Sequence, residues 1–204
     1  MTSDAQSRLA AHFNRRGFQN VKVFDDRKQL CAAFEQELIG VSSVGFGGSV
    51  TTRKLELHDL SRKAGKIVWD HWDPEVDKSV TRRQQLSTDL FVTAVNAVTE
   101  DGIIVNADGI GNRAAASIFG PKNILFIVTP NKLCKNLSKA VARIRNVATP
   151  LNAERLGATP PCVSDMRCHG CLDDSRLDRV FVIHEYCPAG ARFVIFILNE
   201  PMGY

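Results

Sequence analysis

The sequence predicts an α/β fold with a mostly parallel central sheet and helices on both faces. Three observations predict it. Strand-sized apolar runs such as Ile124–Val128 and Phe193–Leu198 alternate with stretches of helical period, the order of strands that return through crossover helices. At 204 residues, 44% hydrophobic and 24% charged, the chain has globular composition and the length for one buried core. No apolar run reaches the roughly 18 residues that a membrane span needs. The chain therefore reads as one domain over 1–204, with a helical lead-in at 1–40 and an irregular, cysteine-containing excursion at 151–178.

The elements follow in order. Ser7–Arg16 sets Leu9, Ala10 and Phe13 at helical spacing and stops at Gly17. Val21–Phe24 reads as a short strand, and Lys28–Ile39 as a helix through Leu30, Phe34 and Leu38. Val41–Phe46 is strand-like and runs into Gly45-Phe-Gly-Gly-Ser49. A helix opening near Thr51 carries Leu55, Leu57 and Leu60. Lys66–Trp69 is a strand, Val76–Leu86 a polar surface helix, and Asp89–Ala94 a strand. Glu100-Asp101-Gly102 is a turn between two short apolar pieces and predicts a hairpin. Asn112–Phe119 is a small-residue helix, Ile124–Val128 a buried strand, and Ser138–Val147 a helix ended by Thr149-Pro150. Periodicity vanishes from Leu151 to Asp178, and the strands Arg179–Glu185 and Arg192–Leu198 close the chain. An aperiodic stretch that long inside a compact domain signals function or an external constraint.

A net charge of +4 is only mildly basic, and no basic strand is interleaved with aromatics, so no nucleic acid is expected as partner. Met1–Ser7 lacks a basic start followed by an apolar run, which predicts no secretory leader, no membrane attachment and a cytoplasmic location.

Two glycine-rich loops carry the chemistry. Gly45, Gly47 and Gly48 lie where a strand gives way to a helix, with Ser49 and Thr51 as hydroxyl donors. Glycines there turn the backbone tightly and expose N–H groups, an arrangement that suits phosphate or carboxylate; a turn that binds nothing is the alternative. It is no Walker loop, because no Gly-Lys-Ser/Thr follows. The second loop, Asn106-Ala-Asp-Gly-Ile-Gly-Asn-Arg113, presents Asn106, Gly109, Gly111, Asn112 and Arg113 and contains a Gly-x-Gly-x-x-Ala string. A dinucleotide fingerprint is excluded because its strand is short and no acidic ribose partner follows at Thr129-Pro-Asn131. Asn96, Glu100 and Asp108 belong to a dense set of polar residues beside these loops, a candidate site at strand and helix ends. Glu100 next to Asp101 offers the like-charge proximity that suits a general base. Turn chemistry for Glu100 and helix capping for Asp108 or Asn112 are the competing roles.

Several strings resemble one family. Val44-Gly-Phe-Gly-Gly-Ser49, Asn96-Ala-Val-Thr-Glu-Asp-Gly102, Val105–Arg113, Phe119-Gly-Pro-Lys-Asn123 and Arg143–Asn152 look like the LUD (lactate utilisation) domain family, of the LutC/YkgG type. The resemblance implies a fold similar to the NagB/RpiA/CoA-transferase group, in which an acidic residue near such a turn does acid/base or nucleophilic work; the matching segment here offers Asn96, Glu100 and Asp108. It also implies a role in oxidising L-lactate to pyruvate beside iron–sulfur partner subunits, with a small anionic metabolite at the glycine loops. A free-standing enzyme on a phosphorylated or CoA-linked metabolite is the second reading.

Of the six cysteines, Cys31 and Cys134 sit in apolar helical contexts. Cys168-His-Gly-Cys171 has the spacing by which two thiolates reach one metal, and Cys162 precedes it closely. With Cys187, or with His169 or His184, a zinc or iron–sulfur site could be completed, giving a metal-binding regulatory or assembly module as the third reading. A redox-sensitive pair or free thiols are the alternatives. His12 and His58 lie in polar settings. His71, between Trp69 and Trp72, reads either as a pocket mouth or as loop packing.

Overall fold

The structure is a computed structural model and describes residues 3–204. In chain order the elements are α1 (Ser3–Arg15), β1 (Asn20–Phe24), α2 (Arg27–Glu37), β2 (Ser43–Phe46), α3 (Val50–Lys54), α4 (Leu57–Lys63), β3 (Ile67–Asp70), α5 (Lys78–Gln84), β4 (Leu90–Ala94), β5 (Ala97–Thr99), β6 (Ile104–Asp108), α6 (Asn112–Ala116), β7 (Asn123–Val128), β8 (Leu133–Cys134), α7 (Leu137–Arg143), α8 (Thr149–Leu156), β9 (Val180–His184) and β10 (Arg192–Leu198). Six strands form an all-parallel sheet in the order β1-β10-β7-β4-β2-β3.

Both faces of this sheet are covered, which is why β7 and β10 are continuous apolar runs rather than alternating ones. Along β7, Leu125 and Ile127 point into one core with Phe34, Phe46, Leu57 and Phe196. Ile124, Phe126 and Val128 point into the other, with Phe13, Phe18, Phe91 and Ile195. All of these side chains are at most 1% exposed. Side-chain caps start the helices: Asp26 accepts from Gln29 N at the head of α2, Asp77 from Ser79 N and Val80 N at α5, and Asn136 from Lys139 N at α7.

A second sheet, β8-β5-β6-β9, leans on the first through Val98, Ile104 and His184. The expected hairpin is there, with β5 and β6 antiparallel around Glu100-Asp101-Gly102. The strand expected at Arg179–Glu185 is β9, and it pairs antiparallel with β6 instead of extending the main sheet.

Two expected helix boundaries need correction. The helix opening near Thr51 is two helices, broken at Glu56, whose φ of 54° is left-handed. Thr149-Pro150 does not end a helix. The chain passes through a π-helical turn at Ile144–Ala148 and continues as α8, with Pro150 in its first turn. Proline is accommodated there because the π turn widens the helix just ahead of it and makes room for the ring. The irregular stretch therefore starts at Gly157, where φ is 64°, and not at Leu151.

Candidate functional site

Parallel strands all end on the same rim, so the loops after β2, β3, β4, β7 and β10 converge at one edge of the sheet. A cavity of about 240 Å³ opens there. Pockets for drug-sized ligands run from roughly 300 Å³ upward, so this one suits a smaller metabolite. Sites at the carboxyl ends of parallel strands are the rule in open α/β sheets.

Gly48, Ser49 and Thr51 follow β2 into the wall, and His71 and Trp72 follow β3. A Cβ on Gly48 would lie 2.7 Å from the Trp72 indole nitrogen, so only glycine lets this loop pass beneath the ring. Gly47 is held as closely, between Phe91 and Arg113, but it lies behind the wall, and Gly45 is packed within β2 against Thr88 and Gln85. Ser49 caps α3 through Thr52 N at 3.3 Å.

The second loop contributes Asp108, Gly109, Asn112 and Arg113. Gly111, with φ of 96°, gives the entry to α6. Asn106 is 2% exposed and does not line the cavity; its Oδ1 accepts from Asn96 N at 2.8 Å. Asn96 lies in the wall, and its side-chain oxygen accepts from Ala107 N at 2.9 Å and from the Arg113 guanidinium at 2.5 Å. Asp108 lines the cavity but acts as an anchor. Its carboxylate accepts from Ala114 N at 2.9 Å and Ile110 N at 3.1 Å. Burial pushes that carboxyl up, but the backbone donors and Arg113 outweigh it and leave it below its ordinary value. Glu100 is exposed at the hairpin tip and outside the cavity.

The charge in the cavity comes largely from residues that sequence patterns did not single out. Among the described residues, Arg82, Arg113, Lys132 and Arg155 line it against one side-chain carboxylate, Asp108. Lys132 follows β7 and is 2% exposed. Among the described residues its amine meets no carboxylate and donates only to Thr51 Oγ1, at 2.9 Å. Burial, with Arg143 and Arg113 adding like charge, pushes the amine down to about 7. Arg155 lies over the Trp72 ring at 4.1 Å and donates to the Tyr204 hydroxyl at 2.9 Å. Among the described residues, the buried Nε of Arg82 has no hydrogen-bond partner. The only signal for Lys132 was its place, directly past a fully apolar strand.

His71 is buried at the cavity wall. The Gln85 amide donates to the carbonyls of Phe46 at 2.8 Å and Trp69 at 3.1 Å, and lies 3.0 Å from His71 Nδ1. The amide nitrogen has two hydrogens for these three neighbours, so the ring competes with the carbonyls for them. Burial pushes this imidazole down to about 4, so it is neutral at pH 7.

The four late cysteines do not form one donor set. Cys162 is buried, and its thiol is raised by burial and further by nearby Cys171, Cys168 and Asp178. Cys187 packs instead against the core beneath α1, its N–H donating to Arg16 O at 2.8 Å. His169 is bonded to Asp165 at 2.9 Å, and His184 lies between Phe126 and Phe193. Among the described residues, no group of three or more His, Cys, Asp or Glu side chains is placed to hold a metal ion. Nor is any helix among them long and apolar enough to cross a membrane.

Comparison with known proteins agrees with this architecture. A DUF162 family protein from Deinococcus radiodurans, solved at 1.70 Å, superposes with a TM-score of 0.57 at 13% identity, over 97% of this chain and 98% of that one. Likeness at that identity speaks for the fold alone. eIF2B delta from Chaetomium thermophilum matches at a TM-score of 0.32 and 14% identity, over 67% of this chain and 50% of that one, too distant to carry an argument. No curated protein matches. The LUD domain family model matches residues 7–185, most of the chain and every strand of the cavity rim but β10, and the chain thus belongs to the LUD domain family.

Proposed function

We propose that this LUD-domain protein binds a small anionic metabolite in the cavity at the strand ends, and that it serves the oxidation of L-lactate to pyruvate beside iron–sulfur partner subunits. The observation that carries the anion site is the charge balance: four cationic side chains face the cavity against one anchored carboxylate. A buried cation without a counter-charge is costly, and a bound anion supplies the missing charge. Family membership supports the lactate role. The cavity supplies Trp72, Thr51 and His71 for contacts beyond charge.

The test is thermal denaturation of the purified protein with L-lactate, pyruvate, inorganic phosphate and coenzyme A. Stabilisation that grows with ligand concentration and is lost in Arg113→Met is expected. No shift with any anion at millimolar concentration refutes the site. Normal growth on L-lactate of a host strain lacking the gene refutes the pathway role.

A further inference from the structure

We propose that Lys132 is a nucleophile, and that the cavity takes a small aldehyde or ketone bearing a carboxylate or phosphate and holds it as an imine on Nζ. This rests on the anion-binding reading above. Three observations favour covalent capture over a purely electrostatic role. The amine sits in the cavity without the carboxylate that normally fixes a buried lysine as a permanent cation, and Arg113 and Arg143 lie within electrostatic reach. Arginines already supply fixed positive charge, so a lysine that can lose its proton adds something they cannot. The tail overlies the amine: a Cβ on Gly203 would be 2.5 Å from Thr51 Oγ1 and 3.5 Å from Lys132 Nζ, and Lys132 is left 2% exposed. Desolvation beside other cations is how enzyme amines are made nucleophilic at neutral pH.

The chemistry balances without an oxidant or reductant. The neutral amine's lone pair forms a bond to the carbonyl carbon, and the C=O pair moves to oxygen, which takes a proton. The carbinolamine then loses that oxygen as water while nitrogen gives up its remaining proton, leaving C=N. The Thr51 hydroxyl, 2.9 Å from Nζ, is placed to relay protons at nitrogen, and the arginines hold the anionic group.

The experiment is reductive trapping. The protein is incubated at pH 7 with glyoxylate, glycolaldehyde phosphate or uncharged propionaldehyde, reduced with cyanoborohydride, and mapped by peptide mass. Preferential labelling of Lys132 by the anionic aldehydes is expected, at least about a hundredfold faster than at exposed Lys54 or Lys135, because burial leaves a substantial fraction of the Lys132 amine neutral at pH 7. Glyoxylate and glycolaldehyde phosphate in parallel distinguish a carboxylate from a phosphate ligand, and inorganic phosphate should compete. Lys132→Arg, which keeps a cation and removes the nucleophilic amine, should lose the label. Lys132 left unlabelled, or labelled no faster than surface lysines, while phosphate still stabilises the protein overturns the nucleophile and leaves the anion site standing. Loss of the phosphate shift itself brings down the underlying reading.

Discussion

Replacing Lys132 by methionine tests the electrostatics of the cavity directly. Methionine keeps the unbranched stem and removes the charge. The displacement of the amine from 10.5 to about 7 corresponds to about 5 kcal/mol at 1.36 kcal/mol per pH unit. Below pH 7 the amine is protonated both folded and unfolded, and the folded state carries that whole penalty. Between pH 7 and 10.5 the unfolded chain still holds a proton that the folded chain has released. Stability of the native protein therefore climbs by about 1.4 kcal/mol per pH unit across this window, and the penalty is gone above it. Against this gain stands the lost bond to Thr51, about 1 kcal/mol. The variant should be about 4 kcal/mol more stable than the native protein at pH 6.5, and the gap should close steadily toward pH 10. Urea denaturation of both proteins, in buffers free of phosphate and carboxylate, measures it. Parallel stability curves across that pH range would show that the amine is not desolvated as described.

Other perturbations follow from the same geometry. Gly48→Ala places a methyl 2.7 Å from the Trp72 nitrogen and should cost about 1–3 kcal/mol while weakening anion stabilisation; an unchanged melting temperature argues against the close packing of that loop. Gln85→Leu strands the carbonyls of Phe46 and Trp69 and should cost about 2–4 kcal/mol, read by chemical denaturation. The buried imidazoles of His58, His71 and His184 are held at about 3, about 4 and about 4, chiefly by burial, so the unfolded chain takes up protons that the folded chain refuses. Stability should be full above pH 6.5 and fall as pH drops from there toward 4. Neither ring nitrogen of His184 has a hydrogen-bond partner among the described residues, so His184→Leu should remove one proton's worth of that slope, about 1.4 kcal/mol per pH unit, without loss at pH 7. An unaltered acid slope would contradict the burial of that ring.

Most strands of the main sheet were legible because burial on both faces demands apolar runs, and Ile124–Val128 or Phe193–Leu198 have no other use. The hairpin was legible through its Glu100-Asp101-Gly102 turn. What sheet each strand joins was not: Val180–His184 looks like any short strand, and its antiparallel partner β6 lies some seventy positions upstream. Pro150 misled because its helical neighbourhood is irregular, a π turn that periodicity does not encode. Within the candidate site, Ser49, Thr51, Asn96, Asp108, Asn112 and Arg113 were visible as loop chemistry and do meet at one cavity. Glu100 was equally polar and lies elsewhere, because a hairpin tip points away from the strand ends.

The sequence by itself therefore determined the layered α/β class, the positions of the turns and the polar loop residues, since propensity and periodicity are local properties. Tertiary structure alone decided the charge of the cavity. Lys132, Arg82 and Arg155 come from three distant segments and are ordinary surface-type residues in the sequence. They become a site only when parallel strands bring their loops to one rim and withdraw water from the Lys132 amine, because desolvation depends on what the chain packs around a group and not on its neighbours along the chain.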